Sequence, residues 1–593
     1  MCIVFFKITV LPDNRRVLQL AANRDEFAAR PTRRLALEQD TELICGRDLQ
    51  RGGTWLAFHS TSGRFAFLTN VRVASDLLKG DKRSRGELVD KFVAITTDDA
   101  VKMTPQAFLD ELEATKHEYD PYNIVFGDIA SDADCYFFTN DTRDARSFQQ
   151  RHAPLQHDKA YAVTNAPQLE CAWPKATRGL QLFASILADD AARKHQAKPD
   201  AQTDVVSANS PANHTFSQQL YEQLFTQLLE DRQLVAPDDA RLPVTGVAPH
   251  IEQLLSAIHV DLQPLPLAVL PDADDALAHD KQYGTVTACV AYVDAQGPCY
   301  VAERAYRHEK TPTRTIRAAR QLHTPNEYCA PPISVACVDD EGRRIMSVAE
   351  LRKSDSRLIL VGDVHACFDE LQELLLACNF DKSKDTVLLL GDLIGKGPEP
   401  KKVVEFARNG EKQGWLIALM GNWDDVALRI WRKELSYDET GDEMKAAVDA
   451  LDDDDFRFLD SLPLSWCFPS LGILCVHAGI RPDLPLDKQD TNEVLNMRTL
   501  RPDGTASKQA FPDDANEPQL THWAERYNGK FHIVYGHDAT RGLVERKHTT
   551  GLDSGCVYGN QLTALIMPRR YLVQIDAIKM YSVPKPQLLP PRN

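Results

Sequence analysis

The chain reads as an α+β protein built from two dissimilar halves, and three observations predict this. At 593 residues it exceeds the ~250–300 residues beyond which one hydrophobic core stops growing. In the first half, short apolar runs alternate with turn residues, and helical stretches are set apart from them. In the second half, short buried-type strands alternate with helical segments, and polar residues stand at the strands' C-terminal ends, where open sheets build sites.

The elements follow in order. MCIVFFKITV, VLQLAANRD, GRFAFLTNV, YNIVFGDI, CYFFTN, AYAVTNA and TVTACVAYVD predict strands of the first half. Helices are predicted over 87–97 and 216–230. The opening stretch has no basic residue before its apolar run and no small-residue cleavage site, so it reads as a strand rather than a signal peptide. Residues 196–214 are polar and rich in Ala, Asp and Asn, and read as a flexible insertion. Residues 309–333 carry charges, four prolines and few apolar side chains, and read as a linker. The expected division is therefore 1–308, a linker and lead-in over 309–354, and 355–593. LILVGD, TVLLLGD, LIALMGN, GILCVHAG and FHIVYGHD predict the strands of the second half, with helices over 367–378 and 400–412.

Composition narrows the function classes. The chain is 43% hydrophobic and 26% charged, with 85 acidic against 68 basic residues and a net charge of −17. This balance argues against bulk binding to nucleic acid or an anionic membrane. The aspartate runs at 452–455 and 271–275 read as solvated loops or helix ends. Thirteen cysteines without CxxC spacing indicate reduced thiols rather than a disulfide framework or zinc knuckle. No apolar run reaches the roughly 18–20 residues of a transmembrane segment. A cytoplasmic protein is the expectation.

The chemistry-bearing residues of the second half sit at strand ends: Asp363 and His365 in GDVHA, Asp392 in GDLIG, Asn422 in GNWDD, His477 in VHAG and His537 in YGHD. Each gap between them allows a strand to return through a helix to the same edge. Carboxylate oxygens, one amide oxygen and three imidazoles form a donor set for two divalent ions of the Mn, Fe or Zn kind, with Asp392 bridging. Two such ions activate water and stabilise both ends of a displacement at phosphorus.

These motifs resemble the calcineurin-like metallophosphoesterases, in the phosphoprotein-phosphatase branch that includes symmetrical diadenosine tetraphosphate hydrolases. GDLIGKGPEP resembles the signature of the ApaH-like phosphatases, and NMRTL, VYGHDATRGL and GLDSGCVYGNQLTAL extend the likeness over about 355–570. The resemblance implies a metallophosphatase αβ sandwich and metal ligands at the six residues above. It implies a phosphate-binding role for Lys396, and Arg498 is the candidate for a second phosphate clamp, Arg481 a weaker one. The substrate would be a phosphorylated small molecule, a nucleotide or a phosphoprotein. In that family an acid histidine, oriented by an aspartate, follows the motif asparagine. Here Trp423 and Gly395 stand in those two places. General-acid help contributes ~10²–10⁴ in rate, so its loss favours a good leaving group such as a phosphoanhydride in a dinucleoside polyphosphate, an mRNA cap or polyphosphate. The alternative is a weakened enzyme acting as a scaffold.

In the first half, removal of Met1 would leave Cys2 as an N-terminal nucleophile whose own amine can serve as base. AANRDEFAARP, GRDLQRGGTWLAF, GRFAFLTNVR, YAVTNAPQLECAWPK and YGTVTACVAYVD resemble the TANGO2-like (NRDE) family to about residue 305. The resemblance implies an N-terminal αββα sandwich like that of Ntn hydrolases, with roles in Golgi organisation, lipid or acyl metabolism and haem handling. By analogy with amidases of that fold, Arg24 and Asp25 would orient the thiol and amine, and Asn70 or Asn165 would donate to an oxyanion. Two alternatives stand beside it: a structural NRDE network with Arg24 paired to an acid, and a module binding haem or an acyl ligand. No CxxCH is present for covalent haem attachment.

Overall fold

The computed structural model describes residues 2–38, 41–72, 82–94, 103–131, 133–141, 147–169, 171–196, 218–234, 257–260, 263–264, 282–295, 299–306, 313–318, 337–338, 344–349, 356–511 and 519–584. Two units divide the chain, Met1–Arg320 and Gln321–Asn593.

The first unit is built on two antiparallel sheets. One has the order Ala160–Val163, Cys2–Val10, Arg16–Phe27, Gln282–Asp294, Cys299–Ala305, Arg314–Ala318. The other is a sequential meander from Thr32–Leu37 through Leu43–Asp48, Leu56–His59, Arg64–Asn70, Tyr122–Asp128 and Tyr136–Thr139 to His152–Pro154. Period-two alternation sorts the side chains of the first strand. Ile3 and Phe5 pack with Phe183, Leu224 and Leu228 of the helical segments Pro174–Gln196 and Leu224–Leu229. Phe6 faces the opposite way and meets Phe67 of the second sheet edge-on at 5.2 Å. The second sheet covers its other face with Gly86–Val93 and Pro105–Thr115 through Phe92, Phe108 and Phe126. The helix expected over 216–230 runs as Gln218–Gln223 and continues as a π-helix over Leu224–Leu229.

In the second unit, Tyr571–Asp576, Gln561–Met567, Leu358–Val361, Thr386–Leu389 and Leu416–Ala418 lie side by side, the last three parallel to one another. A second sheet has the order Cys337–Val338, Arg344–Val348, Ser465–Phe468, Ile473–Val476, His532–Tyr535, Thr549–Gly551, Val544–Glu545. Leu358, Leu360, Leu388 and Leu565 of one sheet share a core with Phe468, Ile473, Cys475 and Val534 of the other. The residues matched as strands in the sequence are strands, and Leu358–Val361, Val387–Leu389 and Leu416–Ala418 of the parallel ones are apolar because both faces are covered.

Two expectations are corrected. The stretch 309–333, expected as linker, contains a strand. Arg314–Ala318 pairs with Cys299–Ala305, with Ile316 fully buried, and within the lead-in Arg344–Val348 pairs in parallel with Ser465–Phe468. A flanking proline and charges hid the first of these short strands. The run Asp452–Asp455 does begin a helix, with the Asp452 carboxylate accepting from the Asp454 and Asp455 N–H groups. Asp455, however, is fully buried between Lys401 and Arg408 rather than solvated. The insertion expected over 196–214 falls, after residue 196, outside the described residues, as does the aspartate run at 271–275.

Candidate metal centre

Five strand ends converge in the second unit. Leu358–Val361 runs into Asp363 and His365, Thr386–Leu389 into Asp392, and Leu416–Ala418 into Asn422, the first residue of the helix Asn422–Trp431. In the other sheet, Ile473–Val476 ends before His477 and His532–Tyr535 before His537. Parallel pairing puts these ends on one edge. Asp363, His365 and Asp392 offer ligand atoms within 4.8 Å of one another, and so do Asp392, His477 and His537. Asp392 belongs to both groups. His365 and His477 approach it from either side, at 3.4 and 3.5 Å.

The backbone is bent to present these side chains. His365, Asp392, Lys396 and His537 all have left-handed φ angles, between 44° and 67°. Non-glycine residues adopt that region at a cost, and they cluster where a site over-determines them. Gly421 is required by close approach, since a Cβ there would stand 2.0 Å from the Asp392 nitrogen. Asp424 ties the loops together. Its carboxylate accepts from Gly421 N at 2.9 Å, Leu393 N at 3.1 Å and Ile394 N at 3.3 Å. The Asp392 carboxylate accepts from Trp423 N at 2.8 Å, and Asp363 accepts from His537 N at 3.0 Å.

The histidine tautomers follow from their backbone partners. His365 Nδ1 lies 3.2 Å from Ile394 O, and His477 Nδ1 2.8 Å from Leu390 O, so each directs Nε2 into the cluster. His537 is reversed: Nε2 lies 3.1 Å from Asn496 O and Nδ1 points inward. His477 Nε2 and His537 Nδ1 then lie 3.1 and 2.9 Å from Asn422 Oδ1. Three lone pairs face one another there, an arrangement that a divalent cation satisfies. Burial drives all three imidazoles toward the neutral, ligating form: His477 falls to about 4, and His365 and His537 lie well below the ordinary range. Burial also raises Asp392 to about 6 and Asp424 to about 7. The donor set of nitrogen and oxygen therefore fits divalent metal ions.

Trp423 and Gly395 are in contact. A Cβ on Gly395 would stand 2.2 Å from Trp423 Cε3, and Gly395 has φ +88°. The indole occupies the space in which an aspartate side chain at 395 would begin. It meets the His365 ring edge-on at 5.7 Å. Lys396 lies over the Trp423 ring at 4.7 Å and the Tyr558 ring at 5.2 Å, and its ammonium is 2.8 Å from His365 Nε2. Arg498 donates to Lys508 O at 3.0 Å and His537 O at 3.2 Å, which holds its charge beside the cluster. Arg481 pairs with Asp483 and is not brought to the site. Sequence reasoning passed over Asp424 and Tyr558. Asp424 had a signal, being an acid at the third position of a helix.

In the first unit, Cys2 pairs with Arg24 in register; the Cys2 side chain and Met1 lie outside the described residues. Arg24 donates to Thr32 Oγ1 at 3.2 Å and stands 3.5 Å from Glu26. Asp25 lies on the opposite face, where its carboxylate accepts from Thr285 Oγ1 at 2.7 Å. Successive strand residues alternate faces, so the Arg24 and Asp25 side chains lie on opposite faces of the strand. Asn165 Nδ2 donates to Asn70 O at 2.6 Å.

Residues 1–308 match the family model for Transport and Golgi organisation 2, and residues 356–567 match that for calcineurin-like phosphoesterase. The chain belongs to the Transport and Golgi organisation 2 family and carries a calcineurin-like phosphoesterase domain. Among relatives of the phosphoesterase domain is a symmetrical bis(5'-nucleosyl)-tetraphosphatase of Hamiltonella defensa. It is 30% identical over 266 residues, covering 36% of this chain and 95% of the relative. An asymmetrical bis(5'-nucleosyl)-tetraphosphatase of Oceanobacillus iheyensis is 25% identical, covering 39% of this chain and 96% of the relative. The Transport and Golgi organisation 2 part is 35% identical to the Bos taurus homologue over 192 residues, 31% of this chain and 63% of that protein. No described helix is long and apolar enough to cross a membrane.

Proposed function

We propose that the phosphoesterase domain hydrolyses a phosphoanhydride, of the kind found in dinucleoside polyphosphates. Asp363, His365, Asp392, Asn422, His477 and His537 would hold two divalent ions of the Mn, Fe or Zn kind, with Asp392 shared. When bound, such ions supply a nucleophile at neutral pH and stabilise charge on phosphoryl oxygens. The chain's own residues do the rest. Backbone carbonyls orient the imidazoles, Asp424 fixes the loops of Asp392 and Asn422, and Lys396 and the Arg498 charge hold phosphate oxygens.

The observation that carries this reading is the packing of Trp423 against Gly395 beside two groups of clustered metal-type donors. The two residues form one fitted contact. A site without the acid histidine suits a leaving group that needs no proton, and the tetraphosphatase relatives point the same way. The fitted tryptophan also supports a second reading, a cation-binding scaffold without turnover.

The test is hydrolysis by the full chain and by Asp392→Asn with manganese present. The substrates are diadenosine tetraphosphate, a capped dinucleotide, polyphosphate, p-nitrophenyl phosphate and a phosphopeptide, and bound metal is measured by mass spectrometry. Turnover of an anhydride that Asp392→Asn abolishes is expected. Two bound ions without turnover of any substrate would support the scaffold.

For the first unit, an Ntn-hydrolase-like use of Cys2 belongs to the same set of proposals. It is supported by the strand-opening position of Cys2 opposite Arg24. Its test is N-terminal mass analysis for loss of Met1, together with alkylation rates of Cys2 in the parent chain and in Arg24→Ala. No described residue supports a haem or acyl ligand, and none is proposed.

A further inference from the structure

A second group of metal-type donors lies outside the six-residue cluster. Cys367, Glu370 and Cys556 bring two sulfurs and a carboxylate oxygen within 4.8 Å of one another. All three are sealed from solvent: Cys367 and Glu370 are 0% exposed and Cys556 2%. Cys367 caps the N-terminus of the helix Phe368–Ala377, Glu370 lies in its first turn, and Cys556 opens the short 3₁₀ turn Cys556–Tyr558.

The two oxygens of Glu370 are treated unequally. Oε1 accepts from Ile578 N and from the Tyr581 hydroxyl, both at 2.9 Å. Oε2 is buried with no hydrogen-bond partner. A buried carboxylate oxygen without a donor loses its hydration and regains nothing. Among the described residues no Lys, Arg or His forms an ion pair with Glu370. Two thiols beside an unmet carboxylate oxygen make a donor set of the kind that soft divalent cations select.

We propose that Cys367, Glu370 and Cys556 form a binding site for one soft divalent cation of the zinc kind, separate from the centre built on Asp392. Uptake of one cation displaces the two thiol protons as each sulfur bonds the cation, so two thiolates and one carboxylate face a charge of +2. The site would join two loops. One carries Asp363 and His365 just before Cys367; the other carries Asp553 and Tyr558 on either side of Cys556. It is a brace behind the proposed active site, with no direct part in the chemistry.

The test uses cadmium ion alone, added to the chelator-stripped full chain, and follows the ultraviolet thiolate-to-cadmium charge-transfer band. The band reports sulfur ligation, so cations held by His and Asp do not contribute. Expected is a band that saturates at one cation per chain, persists in Asp392→Asn, and disappears in Cys556→Ser. In Glu370→Gln the apparent affinity should fall about tenfold or more, as loss of a ligand or its supporting partner does. Absence of a band in the parent chain would overturn the proposal. So would an unchanged band in Cys556→Ser, which would place the sulfurs elsewhere, or loss of the band in Asp392→Asn. Circular dichroism verifies that each variant is folded; should Cys556→Ser unfold, Cys367→Ser and Glu370→Gln give the same decision.

Discussion

Trp423 packs directly on Gly395, and this contact has a measurable consequence. Placing a Cβ on Gly395 puts it 2.2 Å from Trp423 Cε3 and 2.8 Å from Cδ2, against a rigid ring that has to move as a whole. Overpacking of this kind costs about 1–3 kcal/mol, and a side chain in the left-handed region adds about 1–2 kcal/mol. Gly395→Ala or Gly395→Asp should therefore destabilise the second unit by roughly 2–5 kcal/mol. Trp423→His removes the ring and should cost roughly 1–2 kcal/mol, because Trp423 is only half-buried. In the double variant Gly395→Asp with Trp423→His, the clash is gone and only the backbone strain remains. The two changes should then couple favourably by about 1–3 kcal/mol, as contacting residues do. Urea unfolding followed by tryptophan fluorescence measures the cycle, since Trp415, Trp431, Trp466 and Trp523 all report on the second unit. Kinetics add a second readout. If the tryptophan displaced an acid dyad, the double variant should gain up to ~10²–10⁴ on a phosphomonoester with a poor leaving group, and far less on an anhydride. A Gly395→Ala variant within about 0.5 kcal/mol of the parent, the scatter of neutral surface changes, would refute the steric argument.

Further outcomes follow from the same geometry. Lys396→Ala should raise KM for the anhydride by about 10- to 100-fold, the worth of a hydrogen bond to a charged group, while bound metal stays unchanged; steady-state kinetics and metal analysis check both. Asp424→Ala strands the N–H groups of Gly421, Leu393 and Ile394, and should lower stability by about 2–5 kcal/mol; urea unfolding measures it. His522 and His532 are held at about 3, by burial first and by Arg541 and Arg570 next. They stay neutral in the fold while the unfolded chain protonates them near its ordinary value. Stability of the second unit is then complete above about pH 6.5 and falls as pH drops toward 3, by about 1.4 kcal/mol per unit for each histidine. Unfolding midpoints between pH 4 and 8 test this, and His532→Gln should flatten the slope.

The elements and the donor set could be read from the chain because both are local. A strand such as TVLLL announces itself by an unbroken apolar run, and Asp392 follows it immediately in sequence. Asp363, His365, Asn422, His477 and His537 were readable for the same reason: each stands where an apolar run stops. Arg314–Ala318 was read as linker because a five-residue strand flanked by a proline and charges has too little pattern to stand out. The buried state of Asp455 depends on Lys401 and Arg408, both far away in sequence.

The sequence by itself determined which residues end strands, the two families of motif, and that Trp423 and Gly395 stand beside the strand-end donors. Only the tertiary structure decided how those two residues meet. Gly395 and Trp423 are 28 positions apart in the chain, and nothing local couples them; the loop bends that give Asp392 and Lys396 left-handed backbones bring the indole onto the glycine. The same folding joined Cys367 to Cys556, residues far apart in the chain. Contacts between distant positions carry no periodicity, so they arise only when the sheets close and bring their edges together.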